Sequence, residues 1–391
     1  MLPKNFCHQP WNGLFLKQNG SMWPCCKFRH DLDENYKDYY IQSNTLEEYK
    51  DSKFVKELQR KFLNGERPKA CDSCWKDEDA GYPSQRLLMK SKWEQQFNDY
   101  DLSSGEIQVL SIPVGNLCNL KCRICNPYDS STWIKEWLDL YGKDHPRESW
   151  FKNDAVWQKL IDHSKGALEI HLHGGEPFLL DADQHINFLS QLVERGHSKH
   201  IRLHYNTNMT TWPPKSIIEL WKSFMHIDLQ ASLDDIKHRF EYNRHPAKWD
   251  IVENNLFKYK EMVKQWPDTF QLTIAITVNA FTIYYLPEMF EYFLKNNFPK
   301  PWLGRLHDPK PYQPNVFPKP VSEKIRAKLL ASPSADIRKT ASWVNFKNDH
   351  LFPDFQEKVR IHDEYRKESF DQTFPELVDL FYNGNPLKFS V

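Results

Sequence analysis

The feature that most narrows what this chain can become is Cys118-Asn119-Leu120-Lys121-Cys122-Arg123-Ile124-Cys125, a C-x3-C-x2-C run directly behind the apolar segment Ile107–Pro113. The β-branched residues and alternation of that segment read as a strand, so the cysteines fall on the loop that leaves it. Three close thiolates are one short of a closed zinc or iron–sulfur site. They point to a cluster with one metal corner left open. The other reading of the same residues is a zinc loop that takes its fourth ligand from elsewhere.

Further strand-like runs follow at Leu168–His173, Ile201–Asn206, His226–Ser232, Phe270–Asn279 and Trp302–Leu306, separated by segments with helical spacing. In Ala247–Trp266, for example, Trp249, Val252, Leu256, Tyr259, Val263 and Trp266 fall on one stripe. This alternation predicts parallel strands joined by crossover helices, an α/β fold closing as a barrel or lying open as a sheet. Ligands in such folds sit at the carboxyl ends of the strands, and the chemistry-bearing residues fall there. His171-Leu172-His173-Gly174-Gly175-Glu176-Pro177 has two of the chain's 13 glycines side by side, where backbone can approach a ligand, and a carboxylate suited to an ammonium group. Asn206 and Asn208, Ser232 within Gln230–Asp235, Arg244, and Thr277-Val278-Asn279 occupy the later strand ends. Each also has an ordinary reading as polar turn, surface arginine or barrel core. His171 and His173 share one strand face and read as cavity or core histidines. Trp133 and Trp137, four apart, read as helix packing.

The first hundred residues carry the other five cysteines, Cys7, Cys25, Cys26, Cys71 and Cys74. Cys71-Asp72-Ser73-Cys74 is a knuckle that aims two thiolates at one metal. Leu14–Leu16 and the stretch leading to Cys25 suit a hairpin, and Thr45–Phe62 suits an amphipathic helix with Thr45 as N-cap. Zinc and iron–sulfur clusters share such ligand sets, so a four-cysteine zinc knuckle stays open. Residues 77–105 read as a linker helix and a connecting loop. Beyond Pro299, His307–Pro320 reads as irregular and Val321–Leu330 and Asp354–Glu368 as helices. The tail from Phe370 to Val391, with Phe370, Phe374, Phe381, Tyr382 and Phe389, is expected to cross the barrel mouth or hold a partner.

Fifty-two basic residues balance 52 acidic ones, which argues against a chain-wide nucleic-acid footprint. Hydrophobic content of 40% supports sizeable cores. No apolar run is long enough to span a bilayer, and Met1–Asn12 lacks the character of a secretory signal, so a cytoplasmic protein with reduced or metal-bound thiols is expected.

Taken in order, these motifs resemble the radical S-adenosylmethionine enzyme superfamily, with an N-terminal module similar to the SPASM and twitch auxiliary-cluster domains. The resemblance implies a partial (β/α)6 barrel over residues 105–310. A small cysteine-rich module with its linker precedes it at 1–104, and a helical, proline- and aromatic-rich extension follows at 311–391. It implies that Cys118, Cys122 and Cys125 hold a [4Fe–4S] cluster whose fourth iron is chelated by S-adenosylmethionine. Gly174, Gly175 and Glu176 would then meet the cofactor's amino group, Asn206 and Asn208 its ribose, Ser232 and Arg244 its carboxylate, and Val278 its adenine. Cys7, Cys71, Cys74 and one of Cys25 and Cys26 would hold an auxiliary [4Fe–4S] cluster. Ile124 stands where the family often has an aromatic residue, and the module precedes the barrel instead of following it. The implied activity is cleavage of the cofactor to a 5′-deoxyadenosyl radical that takes hydrogen from a substrate, with electrons from a flavodoxin or ferredoxin. Modules of this kind favour a peptide or protein side chain as substrate; a small metabolite or nucleotide-derived substrate is the alternative. A non-catalytic iron–sulfur or zinc scaffold, or electron carrier, is the reading from another class. No residue is singled out as completing the substrate reaction.

Overall fold

A computed structural model of the chain describes residues 2–79, 81 and 83–382. It comprises two compact units, the first Met1–Leu117, Arg147–Tyr205 and Pro213–Ile227, the second Cys118–Pro146, Asn206–Trp212 and Asp228–Val391.

The strands of the first unit are β1 (Gly13–Leu16), β2 (Met22–Trp23), β3 (Val109–Pro113), β4 (Glu169–His173) and β5 (Arg202–Thr207), in the order β2-β1-β3-β4-β5. β1 and β2 form the expected antiparallel hairpin, whereas β1, β3, β4 and β5 run parallel. The period-two pattern sorts the faces. Ile170 and Leu172 of β4 and Leu203 and Tyr205 of β5 are fully buried, while His171, His173, His204 and Asn206 lie half-buried on the opposite face. In the second unit β6 (His226–Ser232), β7 (Phe270–Val278) and β8 (Trp302–Arg305) follow in chain order, with β7 and β8 parallel. Crossover helices account for this arrangement, among them Ala182–Glu194 in the first unit and Trp249–Gln265 in the second. The α/β class expected from the alternation is the one that forms.

Local departures have local causes. β3 begins at Val109, not at Ile107; Gln108 before it bonds to Asn12 through Gln108 N to Asn12 O and Asn12 Nδ2 to Gln108 Oε1, each 2.8 Å, and its carbonyl accepts from Leu168 N. The helix expected over Thr45–Phe62 is two, Leu46–Lys50 and Lys53–Leu63, since Ser52 adopts an extended backbone (φ −62°, ψ 149°) and restarts the chain. Thr45 and Glu48 close a reciprocal capping box on the first of them. The stretch read as a linker is packed. Met89, Trp93 and Phe97, four apart on the short helices Gln85–Lys92 and Glu94–Asn98, form an apolar cluster with Val109 and Leu168, and Trp93 Nε1 donates to Glu169 Oε2 at 3.1 Å.

In the second unit, the helix expected at Asp354–Glu368 spans Phe352–Arg366 and stops at Lys367, whose left-handed backbone (φ 57°) turns the chain and places Glu368 outside it. Short helices Phe370–Thr373 and Pro375–Tyr382 follow. Phe370 and Phe374 pack against Phe281 and Tyr242, which puts them in the core of their unit. Phe389 lies outside the described residues. No helix among those described is long and apolar enough to cross a membrane.

The two caps predict different sensitivities. Thr45→Ala removes a satisfied reciprocal cap and is expected to cost about 1 kcal/mol in urea unfolding. Ser52→Ala is expected to change stability by less than about 0.5 kcal/mol, because the buried Ser52 hydroxyl has no partner among the described residues.

Candidate metal centre and cofactor site

In the second unit the three-cysteine loop is held by its backbone. Lys121 N donates to His245 O at 2.7 Å and Arg123 N to Asn243 O at 2.8 Å, so the residues flanking Cys122 are tied to the end of the helix Lys237–Asn243. Trp133 Nε1 donates to Cys122 O at 3.0 Å, Ser130 Oγ to Leu120 O at 2.5 Å, and the Thr132 hydroxyl to Cys118 O. All three thiols remain partly accessible. Burial pushes the Cys125 thiol well up, and Asp129, Cys122 and Cys118 push it further. Among the described residues, no three His, Cys, Asp or Glu side chains converge on the position of a single ion. Three neighbouring thiols on one loop fit a cluster with an open corner as a donor set.

Asn208 extends the network. Its Nδ2 donates to Asn119 Oδ1 at 2.9 Å, and Asn119 Nδ2 donates to Thr210 Oγ1 at 2.8 Å, joining two stretches of the second unit, residues 208–210 and the loop between Cys118 and Cys122. Ser232 ends β6, half-buried. Two residues on, Asp234 takes a left-handed backbone (φ 63°) and accepts from Thr277 N at 2.7 Å and from Arg244 Nη2 at 2.6 Å. Arg244 Nε donates to Leu233 O at 3.1 Å, and its Nη1 lies 3.8 Å from Cys122 Sγ. Burial raises the Cys122 thiol pKa while the Arg244 guanidinium opposes the rise, favouring the thiolate a metal requires. Val278 is fully buried, and Asn279 caps the following turn through Oδ1 to Phe281 N at 2.8 Å.

The glycine turn belongs to the first unit. Gly174 and Gly175 both have left-handed backbones (φ 65° and 54°). A Cβ on Gly175 would sit 2.0 Å from Leu117 O, and Glu176 N donates to that same carbonyl at 2.8 Å. Glycine is therefore required for the turn to lie against the residue preceding Cys118. The Glu176 side chain is completely buried and its Oε1 accepts from Phe178 N at 3.2 Å, capping the short turn that follows. On the face beside the turn, the His171 ring lies 4.8 Å from that of His173 and 4.4 Å from that of His204, and Phe15 stacks on His173. Burial, then the neighbouring His204 and Lys17, lower the His173 pKa to about 3, so its ring is neutral near pH 7.

Also in the first unit, Cys7 and Cys74 are buried, Cys25 and Cys71 are half-buried, and Cys26 is exposed. Burial pushes the Cys25 thiol well up, with further upward pushes from Cys26, Cys71, Cys7 and Cys74 in that order. Cys7, Cys25, Cys71 and Cys74 come from three separate stretches and have the donor chemistry of an iron–sulfur ligand set.

Sequence reading did not single out the residues that organise the second-unit loop. Asp234, seen there only as part of a turn, commits Arg244. Glu136, from the helix Trp133–Tyr141, is a completely buried carboxylate meeting Lys121 Nζ at 2.7 Å, His362 Nδ1 at 2.7 Å and Arg366 Nε at 2.9 Å. Burial alone would raise the Glu136 pKa, but the His362 hydrogen bond, the Arg366 charge and the Lys121 hydrogen bond outweigh it and hold the pKa near about 2. The one local signal was the presence of two cations, Lys121 and Arg123, between the cysteines.

Comparison with known families matches residues 112–279 to the radical SAM superfamily and residues 7–75 to SPASM, an iron–sulfur cluster-binding domain. No curated protein matches the chain. Among solved structures, native anSMEcpe with bound AdoMet and the Cp18Cys peptide is 18% identical at a TM-score of 0.39, covering 56% of this chain and 58% of that one. Streptococcus suis SuiB bound to the precursor peptide SuiA is 14% identical at a TM-score of 0.34, covering 76% and 61% respectively. The chain thus spans less than two thirds of the length of either.

Gly175→Ala is expected to displace the turn and lower cofactor cleavage on the order of 100-fold, since a shift of about 1 Å has that effect on placed reactants. Gly196→Ala, equally left-handed (φ 73°) but in open space, is expected to leave cleavage unchanged. The Glu136 carboxyl has a folded pKa below its unfolded value, so its contribution to stability is full above about pH 4.5 and fades as pH falls toward about 2. Urea unfolding of the metal-free protein should therefore show Glu136→Gln less stable than the parent by about 3 kcal/mol at pH 7, with the gap narrowing through that acid window.

Proposed function

Because the chain carries a radical S-adenosylmethionine domain behind an iron–sulfur cluster-binding SPASM domain, we propose that it is an enzyme that reductively cleaves S-adenosylmethionine and abstracts hydrogen from a peptide or protein side chain. The observation that carries the reading is the turn Gly174–Glu176, whose backbone is bonded to the residue before Cys118. The turn requires glycine where it meets Leu117. A zinc loop has no need of such a turn.

Cys118, Cys122 and Cys125 would hold the open-site cluster, and Cys7, Cys25, Cys71 and Cys74 the auxiliary one. The exposed Cys26 is the spare thiol of its pair. When bound, such a cluster would supply one electron to the cofactor's sulfonium, breaking its bond to the adenosyl carbon with release of methionine, so that the adenosyl group could take a hydrogen atom from the substrate. The chain's own part is placement and shielding. The Gly174–Gly175 backbone would meet the cofactor's amino end, Ser232 and Arg244 its carboxylate, Asn206 and Asn208 its ribose, and Val278 its adenine. Arg244 enters this role already bonded to Asp234, which fixes the orientation of its guanidinium and points Nη1 toward Cys122. The auxiliary module supports a peptide substrate, because modules it resembles most often accompany enzymes that modify peptides. An electron donor of the flavodoxin or ferredoxin kind is the partner this chemistry needs.

Anaerobic reconstitution followed by addition of dithionite and S-adenosylmethionine should yield 5′-deoxyadenosine and about eight irons per chain, four for each cluster. Serine at Cys118, Cys122 and Cys125 together should abolish cleavage and leave about four irons. Zinc in place of iron with no cleavage would overturn the proposal. Deuterium passing from a labelled peptide library into the deoxyadenosine product would identify the substrate class.

A further inference from the structure

The segment beyond residue 279 lies outside both matched domains, yet it reaches the cysteine loop. Arg123, between Cys122 and Cys125, is 1% exposed. Its Nη2 meets Asp363 Oδ1 at 2.5 Å and Glu368 Oε2 at 2.6 Å, and its guanidinium stacks 3.8 Å from the Tyr242 ring centre. Each acid is fixed in turn. Asp363 Oδ1 also accepts from the Tyr242 hydroxyl at 2.8 Å, Asp363 Oδ2 accepts from Phe370 N at 2.6 Å, and Glu368 Oε1 meets His245 Nδ1 at 2.6 Å. The loop closes on itself here, because His245 O is the acceptor for Lys121 N. All these groups belong to the second unit.

We propose that Asp363 and Glu368 are positioning residues for the three-cysteine loop: acting through Arg123, they set the spread of Cys122 and Cys125 that the open-site cluster needs. The inference rests on those cysteines being cluster ligands. Burying an ionised node is a poor way to gain stability, since desolvation offsets most of the attraction. It is an effective way to fix geometry here, because Arg123 Nη2 is shared by both carboxylates while the guanidinium plane is held against the Tyr242 ring. Partners one step removed from a metal ligand orient that ligand, and their loss weakens retention about 10–100-fold. The loop's two flanks are therefore fixed by different means, its backbone by residues 243–245 and the side chain at its centre by the carboxylates of the C-terminal segment.

The test is electron paramagnetic resonance of the reconstituted, reduced full-length protein during a chelator challenge. The component that shifts when S-adenosylmethionine is added reports the open-site cluster alone. Asp363→Asn and Glu368→Gln should each lose that component about tenfold faster than the parent, with altered g-values and an unchanged auxiliary signal. Arg123→Lys, which keeps the charge but not the planar group stacked on Tyr242, should fall between. Arg360→Ala breaks only exposed pairs with Glu357 and Glu364 on the same helix, and should behave as the parent. The inference is overturned if the acid variants lose the component at the parent's rate, or if Arg360→Ala loses it as fast as they do. A parent protein with no cofactor-responsive component would overturn the cluster assignment itself, a separate and recognisable result.

Discussion

A loop that carries three thiols within eight residues has few bonds of its own, Cys125 N to Cys122 O among them, and the backbone bonds from Lys121 and Arg123 to His245 and Asn243 fix it to the rest of its unit. A neutral amide donating to a carbonyl is indifferent to the redox state and charge of whatever the sulfurs bind. It therefore holds the loop through changes that would loosen an ion pair. In the same unit Trp133 donates to the Cys122 carbonyl and Asn208 to Asn119.

Charge is arranged to suit the same loop. Three thiolates close together repel one another, and burial opposes their ionisation, as the raised pKa values of Cys122 and Cys125 show. Arg244 stands beside Cys122, and Lys121 and Arg123 lie between the cysteines. Each of these cations is itself paired with an acid, Asp234, Glu136, or the half-buried Asp363 with Glu368. The pairs offset the charge brought into the unit. Arg244 both holds the Asp234 turn and favours the Cys122 thiolate.

Much of this was legible in the sequence, for physical reasons. Strands such as Phe270–Val278 announce themselves by β-branched residues and period, and Gly174-Gly175 by a backbone freedom no other residue has. The packed helices at Met89, Trp93 and Phe97 were missed because their spacing is carried by three apolar residues in a charged stretch. The single helix expected from Thr45 split because a buried serine restarted the chain. The role of Asp363 and Glu368 was not readable, since their partner Arg123 lies about 240 positions away and a buried ion pair leaves no periodicity. Arg244 was read as a ligand for an anion; its union with Asp234 depends on the left-handed turn at Asp234, which its residue type alone does not announce.

The central claim is that the loop at Cys118, Cys122 and Cys125 leaves one iron of its cluster open for the methionine end of S-adenosylmethionine. Electron–nuclear double resonance of the reduced protein with cofactor labelled by ¹⁵N and ¹⁷O at that end tests it directly. The account predicts strong coupling from both labels to the cluster spin, lost when Cys122 is replaced by serine. Labels that leave the spectrum unchanged, with the cluster intact and cofactor in excess, would contradict it.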